Sequence, residues 1–328
     1  MFPISRRWLI LVVLAAVPLS GCLFRTRRVE SNLTPLTLKS ATKPELVSYI
    51  NSQAAKIQTM QATVDIDTSV GGVKKGKVTE YKEIRGYVLA RKPAMLRMIG
   101  LMPIIRNTAF DMVSDGQEFK VSIPAKNRFV IGRNDLVTHN AQQPLENLRP
   151  KIIYDALLLR EIDDKEWPVF KNDSVPVVER AHRFDQPIYI IDVIAQHDNQ
   201  RWLSREIIFS RINLLPERQL IYDEGGTVVT DVHYREYKDF NAILFPSIIQ
   251  IHRPEEEYDL TLHIVKLEMN LPLANEKFVL EKPPGAQVIR LEQQQPQSSG
   301  GGNTGEASRR SDDPSRTATT ANQRRGNN

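Results

Sequence analysis

Apolar and polar residues alternate along short runs that cover most of the chain from about residue 62 to residue 269. In the first run, residues 62–67 read Ala-Thr-Val-Asp-Ile-Asp. Such alternation places the two kinds of side chain on opposite faces of a β-strand. Turn sequences separate the runs, for example Gly71-Gly72 and residues 114–116 (Ser-Asp-Gly). We count about ten or eleven such strands, and their close succession predicts an antiparallel sheet.

Two segments have helical spacing instead. Residues 42–45 (Thr-Lys-Pro-Glu) form a capping-box sequence with proline in the first turn, and apolar residues then recur at helical spacing up to Ile57. A second helix is predicted from Pro144 to Leu159, with large aliphatic residues along one side. The stretch from Arg160 to Asp173 is acidic and irregular and predicts no strand.

These elements predict a mainly β fold of the α+β class. A strongly twisted sheet of this size tends to curl, and its concave side then has to be filled. We therefore expect a single curved antiparallel sheet of about ten or eleven strands, wrapped around two or more helices that cover its concave side. Two helices fill such a space only in part, so the architecture predicts an apolar cavity.

The N-terminal segment has the layout of a secretory signal. Two arginines precede an apolar run of residues 8–17, and a Ser-Gly pair then precedes Cys22. The run is too short to span a membrane as a helix. Residues 19–22 (Leu-Ser-Gly-Cys) resemble the lipobox of bacterial lipoproteins, and this resemblance implies cleavage before Cys22 and lipid attached to its sulfur. The alternative is ordinary secretory cleavage that leaves Cys22 as a free thiol.

Composition divides the chain into four segments. We assign residues 1–21 to the signal peptide, 22–41 to a lipidated tether, 42–291 to one domain and 292–328 to a disordered polar tail. The tail has almost no large apolar side chain with which to offset the entropy of ordering. The formal net charge of +5 is spread along the chain, so no nucleic-acid partner is expected.

The single cysteine and its neighbour bear on the compartment. With one cysteine the chain cannot form an internal disulfide, and lipidation of Cys22 would remove an exposed thiol from an oxidising compartment. In known lipoproteins an aspartate after this cysteine often signals retention in the inner membrane. Leu23 stands there instead, so we expect the periplasmic face of the outer membrane, with the inner membrane left open.

Residues 85–93 (Arg-Gly-Tyr-Val-Leu-Ala-Arg-Lys-Pro) and 96–98 (Leu-Arg-Met) resemble the second and third strands of the LolA/LolB lipoprotein-carrier fold. Residues 115–119 (Asp-Gly-Gln-Glu-Phe) resemble a hairpin of that fold, and parts of 215–247 resemble its C-terminal meander. The resemblance extends over most of residues 44–280. It implies an incomplete barrel with a helical lid and an apolar interior that binds acyl chains of lipids or lipoproteins.

A LolA/LolB-like lipid-binding domain would line its cavity with the inward-facing residues of its strands. Period two selects ten candidates for this lining: Val64, Ile66, Val88, Leu96, Met98, Phe110, Met112, Val121, Ile190 and Ile208. Arg97 has two interpretations, a contact to a lipid ester or a structural ion pair.

Residues 100–104 (Gly-Leu-Met-Pro-Ile) stand where membrane-anchored members of that family carry a loop with an exposed apolar tip. Because glycine and proline interrupt the strand there, Leu101, Met102 and Ile104 are candidates for insertion among lipid chains. The alternative is that these side chains fold back into the core.

No motif points to catalysis. The six histidines do not pair at metal-ligand spacing, and neither a G-x-S-x-G elbow nor a P-loop occurs. We therefore expect no catalytic residue, no metal, no cofactor and no enzymatic activity. Two functions stay open: a membrane-anchored carrier of acyl chains in trafficking to the outer membrane, or an envelope structural or regulatory adaptor that binds a protein partner. A long dry cavity would favour the carrier, and a polar, filled interior the adaptor.

Overall fold

The computed structural model describes residues 37–73, 76–135, 149–179 and 182–291. Within these residues the chain forms helices α1 (Lys43–Lys56) and α2 (Pro150–Leu157). Short 3-10 helices cover Pro124–Lys126 and Asn275–Phe278. The described strands are β1 (Thr59–Val70), β2 (Thr79–Arg91), β3 (Met95–Leu101), β4 (Thr108–Ser114), β5 (Glu118–Ile123), β6 (Arg128–Arg133), β7 (Trp167–Glu179), β8 (His182–His197), β9 (Gln200–Ser210), β10 (Pro216–Tyr222), β11 (Val228–Phe240), β12 (Ile243–Arg253), β13 (Tyr258–Met269) and β14 (Gln287–Arg290).

All of these strands belong to one 14-stranded sheet, in the order β14-β6-β5-β4-β3-β2-β1-β13-β12-β11-β10-β9-β8-β7. β1 pairs with β2 on one side and with β13 on the other, and each half of the sheet, apart from β14, is a meander of sequence neighbours. The pairs are antiparallel, apart from β14 with β6. Across the described part of the chain, β14 and β7 are the two edges of this order, so the sheet is open.

The sheet curls around α2. This helix contacts β3 and β4 in one half of the sheet and β12 in the other. One apolar cluster joins Ile153, Ala156 and Leu157 of α2 to buried side chains from both halves. The predicted mainly β, α+β class and the incomplete antiparallel barrel with helices on its concave side are confirmed. The sheet has 14 strands, more than the predicted ten or eleven, and two of the additional strands, β7 and the short β14, lack a clear alternation.

The first helix begins as its sequence predicts. The Thr42 backbone N–H donates to the Glu45 carboxylate over 2.7 Å, which completes the capping box. Leu46 and Ile50 of α1 are buried in a cluster with the inner side chains of β8 and β9. The ring of Tyr49 meets Phe209 of β9 edge-on, with 6.0 Å between centroids. α1 therefore covers the concave side of the sheet near the β7 edge.

The prediction of irregular structure between Arg160 and Asp173 is wrong for its second half. β7 starts at Trp167 and pairs with β8 along its whole length. The outer part of this hairpin extends beyond β9, since the pairing of β8 with β9 starts only at Ile188. Most side chains of β7 are exposed on both faces, as is common at a sheet edge, so its sequence carries no period-two pattern.

The segment that connects α2 to β7 is held by two polar side chains. Arg205 of β9 is buried and donates to the carbonyl oxygens of Arg160 and Glu161, both over 2.7 Å, and to the Glu166 carboxylate over 3.2 Å. The Asn51 amide oxygen of α1 accepts from the Ile162 N–H over 2.8 Å. Burial lowers the pKa of Arg205 to about 10. This network replaces apolar packing where the connection crosses the concave side.

Several predicted features lie outside the described residues. These are the signal peptide 1–21, Cys22, the tether as far as residue 36, the start of the second helix before Arg149, and the tail 292–328. The end of the tether is described: the Lys39 N–H donates to the Arg211 carbonyl over 2.7 Å. In the part of the chain with described structure, neither helix has the length and apolar character needed to cross a bilayer.

Candidate functional site

An apolar pocket opens at one end of the concave side, next to α2. Its volume is about 1130 Å³ with the open mouth included. The polar side chains on its wall are those of Thr68, Tyr81, Tyr258 and Lys126. Burial raises the pKa of Tyr258, so its phenol stays neutral. The rest of the wall is carbon-rich and includes Ile66, Ile84, Met98, Phe110, Met112, Ile153 and Leu260.

The wall formed by β3 and β4 depends on one glycine. Gly100 lies directly opposite Phe110 in the ladder. A Cβ at Gly100 would lie 2.3 Å from the Cε1 atom of the Phe110 ring, so glycine is needed for the ring to occupy this position. Next along the ladder, Met98 faces Met112, and unbranched methionines can adapt their shape to a neighbour.

The loop between β3 and β4 borders the mouth of the pocket. Met102 and Pro103 line the pocket, while Ile104 is 99% exposed and Ile105 is 61% exposed. The loop is closed by a hydrogen bond of 2.7 Å from the Met102 N–H to the Asn107 carbonyl. Ile104 has φ of +70°, in the left-handed region that is costly for a β-branched residue. The loop therefore presents an isoleucine to solvent in a strained backbone conformation.

The ten predicted lining residues separate into three groups. Ile66, Met98, Phe110 and Met112 line the pocket. The second group is buried in the apolar cluster around α2 and does not line the pocket. It consists of Val64, Val88, Leu96 and Val121. Whether any of these residues touches a lipid stays a prediction.

The structure corrects the inward assignment of Ile190 and Ile208. They face each other across β8 and β9 in a small cluster on the side of the sheet away from α1. Their sequence neighbours Ile191 and Ile207 are the residues packed under α1. In this region both faces of the strands are apolar, so alternation alone cannot tell which face turns inward.

The predicted loop residues also differ from one another. Ile104 projects into solvent, Met102 turns toward the pocket, and Leu101 is the half-buried last residue of β3. Ile105 is an exposed branched residue in the same loop and lies outside the predicted set. Two wall residues of the pocket also lie outside the predicted set, Ile84 and Leu260, although the alternation in residues 84–88 and 258–264 identifies both as inward.

Arg97 forms a structural ion pair. Its side chain lies on the outer face of β3 and donates two hydrogen bonds to the Asp111 carboxylate, of 3.1 and 2.7 Å. It also donates to the Lys277 carbonyl over 3.0 Å. Because the neighbouring Met98 faces the pocket, Arg97 points away from it.

A second, smaller apolar pocket of about 470 Å³ lies between the two helices. Its wall includes Tyr49 from α1, Leu157 from α2 and Tyr237 from β11. Burial raises the pKa of Tyr49 to about 12. The Tyr237 hydroxyl donates to the Pro216 carbonyl over 2.8 Å. Both helices therefore leave apolar space on the concave side of the sheet.

No group of three or more histidine, cysteine, aspartate or glutamate side chains is placed to hold a metal ion within the described ranges. No family model and no curated protein matches the sequence.

Solved structures with some similarity include a DUF1329 family protein from Desulfovibrio piger, with 15% identity, a TM-score of 0.47, and coverage of 71% of this chain and 94% of that one. A LolA superfamily protein from Nitrosomonas europaea has 13% identity and a TM-score of 0.44, and the match covers 71% of this chain and 97% of that one. A putative outer membrane lipoprotein-sorting protein domain from Vibrio parahaemolyticus has 13% identity and a TM-score of 0.44, and the match covers 71% of this chain and 94% of that one. Similarities this low assign no function.

Proposed function

We propose that this chain is a membrane-anchored periplasmic lipoprotein that binds acyl chains of lipids or lipoproteins in the apolar pocket, in trafficking toward the outer membrane. The observation that carries the proposal is the carbon-lined pocket of about 1130 Å³ whose mouth is bordered by an exposed apolar loop. Acyl-chain binding needs no catalytic group, because burial of apolar surface contributes roughly 25 cal/mol per Å². A mostly apolar lining with a few polar groups is typical of ligand pockets.

An apolar interior favours the carrier over the adaptor. The four polar side chains on the pocket wall are too few to make the interior polar. The anchor belongs to the same proposal: two or three acyl chains on Cys22 would hold the domain firmly at a membrane surface. Leu23 supports the outer membrane as that surface.

The loop at the mouth supports contact with a lipid surface. Ile104 is almost fully exposed and strained at φ of +70°, so neither burial nor backbone preference within the domain explains an isoleucine there. Insertion of this side chain among lipid chains would bury it and contribute about 1.5–3 kcal/mol. Ile105 would enter the same layer.

The pocket is tested with two tryptophan variants of β2. Ile84→Trp fills the pocket, whereas Leu89→Trp places the same bulk on the outer face of the same strand. We expect lipid extracted from the purified wild type and from Leu89→Trp to contain acyl chains by mass spectrometry, and Ile84→Trp to lose them together with uptake of a fluorescent fatty acid. Absence of lipid and of uptake in the wild type would reject the carrier. Capture of a protein partner by that lipid-free wild type would favour the adaptor.

The loop is tested with Ile104→Asn. Asparagine tolerates the left-handed conformation, so the variant should be at least as stable as the wild type. Binding of the unlipidated chain to liposomes should fall about tenfold or more, from the lost burial of the side chain. Val178→Asn is the control, since Val178 is 70% exposed on the β7–β8 hairpin. Equal liposome binding by Ile104→Asn and the wild type would reject insertion.

The anchor is tested with Cys22→Ser. This substitution removes the only sulfur that could carry the lipid. We expect the protein to move from the membrane fraction to the soluble fraction and to lose incorporation of labelled palmitate. Retention of the label would show that lipid is attached at another residue.

A further inference from the structure

The outer side of β7 is a free edge of the sheet. β7 pairs with β8 on one side, and across the described residues no strand pairs with its other side. The pairing of β7 with β8 runs from Trp167 to Glu179 without a bulge. In an antiparallel pair without a bulge, the backbone groups of every second residue point away from the neighbouring strand. One set of alternate residues in β7 therefore turns its N–H and C=O groups toward the free edge.

The outward residues of β7 are the even-numbered ones. The Ser174 N–H donates to the carboxylate of the preceding Asp173 over 2.8 Å and not to β8. Pro187 of β8 lies opposite Ser174, and its carbonyl accepts from the Arg211 N–H on the β9 side. The Pro168 carbonyl accepts from the lysine ammonium at the start of α1 over 3.4 Å, and its nitrogen has no hydrogen to donate to β8. All three contacts fit the same parity.

Two prolines limit the part of this edge that can donate hydrogen bonds. Pro168 and Pro176 both lie at outward positions, where neither offers an N–H. Between them, Phe170, Asn172 and Ser174 each turn an N–H and a C=O outward. Asn172 lies midway between the two prolines, so the window is symmetric about this residue. A symmetric window matches a second copy of itself in antiparallel orientation.

We propose that two copies of this chain associate through their β7 edges, antiparallel and around a two-fold axis at Asn172. In this register Asn172 faces the second copy's Asn172, and Phe170 faces its Ser174. Each of these pairs exchanges two backbone hydrogen bonds, so all outward N–H groups of both windows are used. Pro168 then faces the second copy's Pro176, where neither residue has a hydrogen to donate. The partner of this edge is therefore the chain itself.

The apolar side chains on the outer face fit the same register. Val169 faces the second copy's Val175, and Trp167 faces its Val177, so apolar residues meet on both sides of the axis. Trp167 is 42% exposed and Val169 is 46% exposed in a single copy. Pairing would cover both side chains. Prolines and charged residues commonly protect a free edge from pairing, but here the prolines bracket a window whose two halves are complementary.

The charged residues of the window are also complementary. Lys171 faces the second copy's Asp173 in this register. The Lys171 ammonium contacts Asp192 over 3.0 Å and Glu206 over 3.5 Å, and its side chain is 45% exposed. Because an ammonium has three N–H groups, one is left for the second copy's Asp173. When the dimer forms, the Ser174 N–H passes from Asp173 to a carbonyl of the second copy, and the released carboxylate turns to Lys171.

A single cysteine tests the register directly. Cys22 is the only native cysteine, so the mature chain from residue 22 onward with Cys22→Ser carries no thiol. In this background Asn172→Cys should form an intermolecular disulfide under mild oxidation. Residues in a hydrogen-bonded antiparallel pair have Cα atoms about 5.5 Å apart, which a disulfide can bridge. Ser174→Cys should not cross-link, because its two copies lie about 13 Å apart along the strands.

Three variants test whether the backbone of the edge carries the contact. Sedimentation equilibrium measures dimer affinity, which we expect to be micromolar for so small an interface. Asn172→Pro removes the central outward N–H and leaves the pairing with β8 intact, so dimer affinity should fall about tenfold or more. Asn172→Ala keeps this N–H, and Val178→Pro makes the same backbone change outside the window. Both should dimerise like the wild type.

The other outcomes would overturn the proposal. A wild type that stays monomeric, together with no cross-link in Asn172→Cys, would show that the edge does not pair with itself. Wild-type dimerisation of Asn172→Pro, or cross-linking of Ser174→Cys in place of Asn172→Cys, would show a different contact. If Asn172→Pro does not fold by circular dichroism, the two cysteine variants decide.

This inference does not depend on acyl-chain binding. The described wall of the apolar pocket includes no residue of β7. Uptake of a fluorescent fatty acid should therefore be the same in Asn172→Pro and in the wild type. Loss of dimerisation would leave the carrier proposal standing, and absence of lipid binding would leave the dimer standing.

Discussion

The contact between Gly100 and Phe110 gives a double-mutant cycle whose result follows from the structure. In Gly100→Ala the new Cβ would lie 2.3 Å from the ring carbon Cε1, so the ring has to move. Overpacking of this kind costs about 1–3 kcal/mol. Phe110→Ala removes a ring that is 5% exposed and costs about 3 kcal/mol, near the lower end for this substitution because the ring borders open space.

In the double variant the added methyl group meets no ring. The double variant should therefore lose about as much stability as Phe110→Ala alone, which corresponds to a coupling energy of about 1–3 kcal/mol between the two substitutions. Urea unfolding followed by circular dichroism, on the wild type and the three variants, measures all four free energies of unfolding. Costs that add to within about 0.5 kcal/mol would show that Phe110 does not lie over Gly100, and would refute this description of the pocket wall.

Three further predictions concern stability and membrane contact. Arg205→Leu leaves Glu166 buried without its inner cation and should cost about 3–5 kcal/mol in urea unfolding, with a smaller effect refuting the buried pair. Burial raises the pKa of Glu206, so ionisation of this carboxyl lowers the stability of the fold as pH rises above its pKa in the unfolded chain, about 4.3. Glu206→Gln should therefore raise the melting temperature more at pH 7 than at pH 4. An equal increase at both pH values would contradict this. Ile105→Asn should weaken liposome binding in the same direction as Ile104→Asn, and no change would confine insertion to Ile104.

The sequence predicts the fold well where one face of a strand is buried and the other exposed. In β3, buried and half-buried residues alternate from Met95 to Leu101, and the strand is found where the alternation predicts it. The capping box at Thr42 marks the start of α1 for an equally local reason. β7 has no such pattern because it is an edge strand exposed on both faces. Its pairing with β8 depends on contacts that no local window contains.

The candidate site could be predicted only in part. Alternation places Met98 and Met112 on the inner face, but the sequence does not show where α2 stops filling the barrel and leaves a pocket. The predicted inward position of Ile190 and Ile208 is wrong because their sequence neighbours are equally apolar, so alternation does not distinguish the two faces. Arg149 before α2 and Arg253 at the end of β12 lie close together although about a hundred positions separate them, and only the curl of the sheet makes them neighbours.

The most direct test of acyl-chain binding is to map where a bound chain lies. The mature chain is incubated with a fatty acid that carries a photoreactive diazirine near its methyl end, irradiated, and digested for peptide mass spectrometry. We predict that the label concentrates on β1, β3 and β4, at residues such as Ile66, Met98 and Met112, and that excess palmitate removes it. Label on the outer-face cluster around Ile190, or label that palmitate does not displace, would contradict a chain held inside the open barrel.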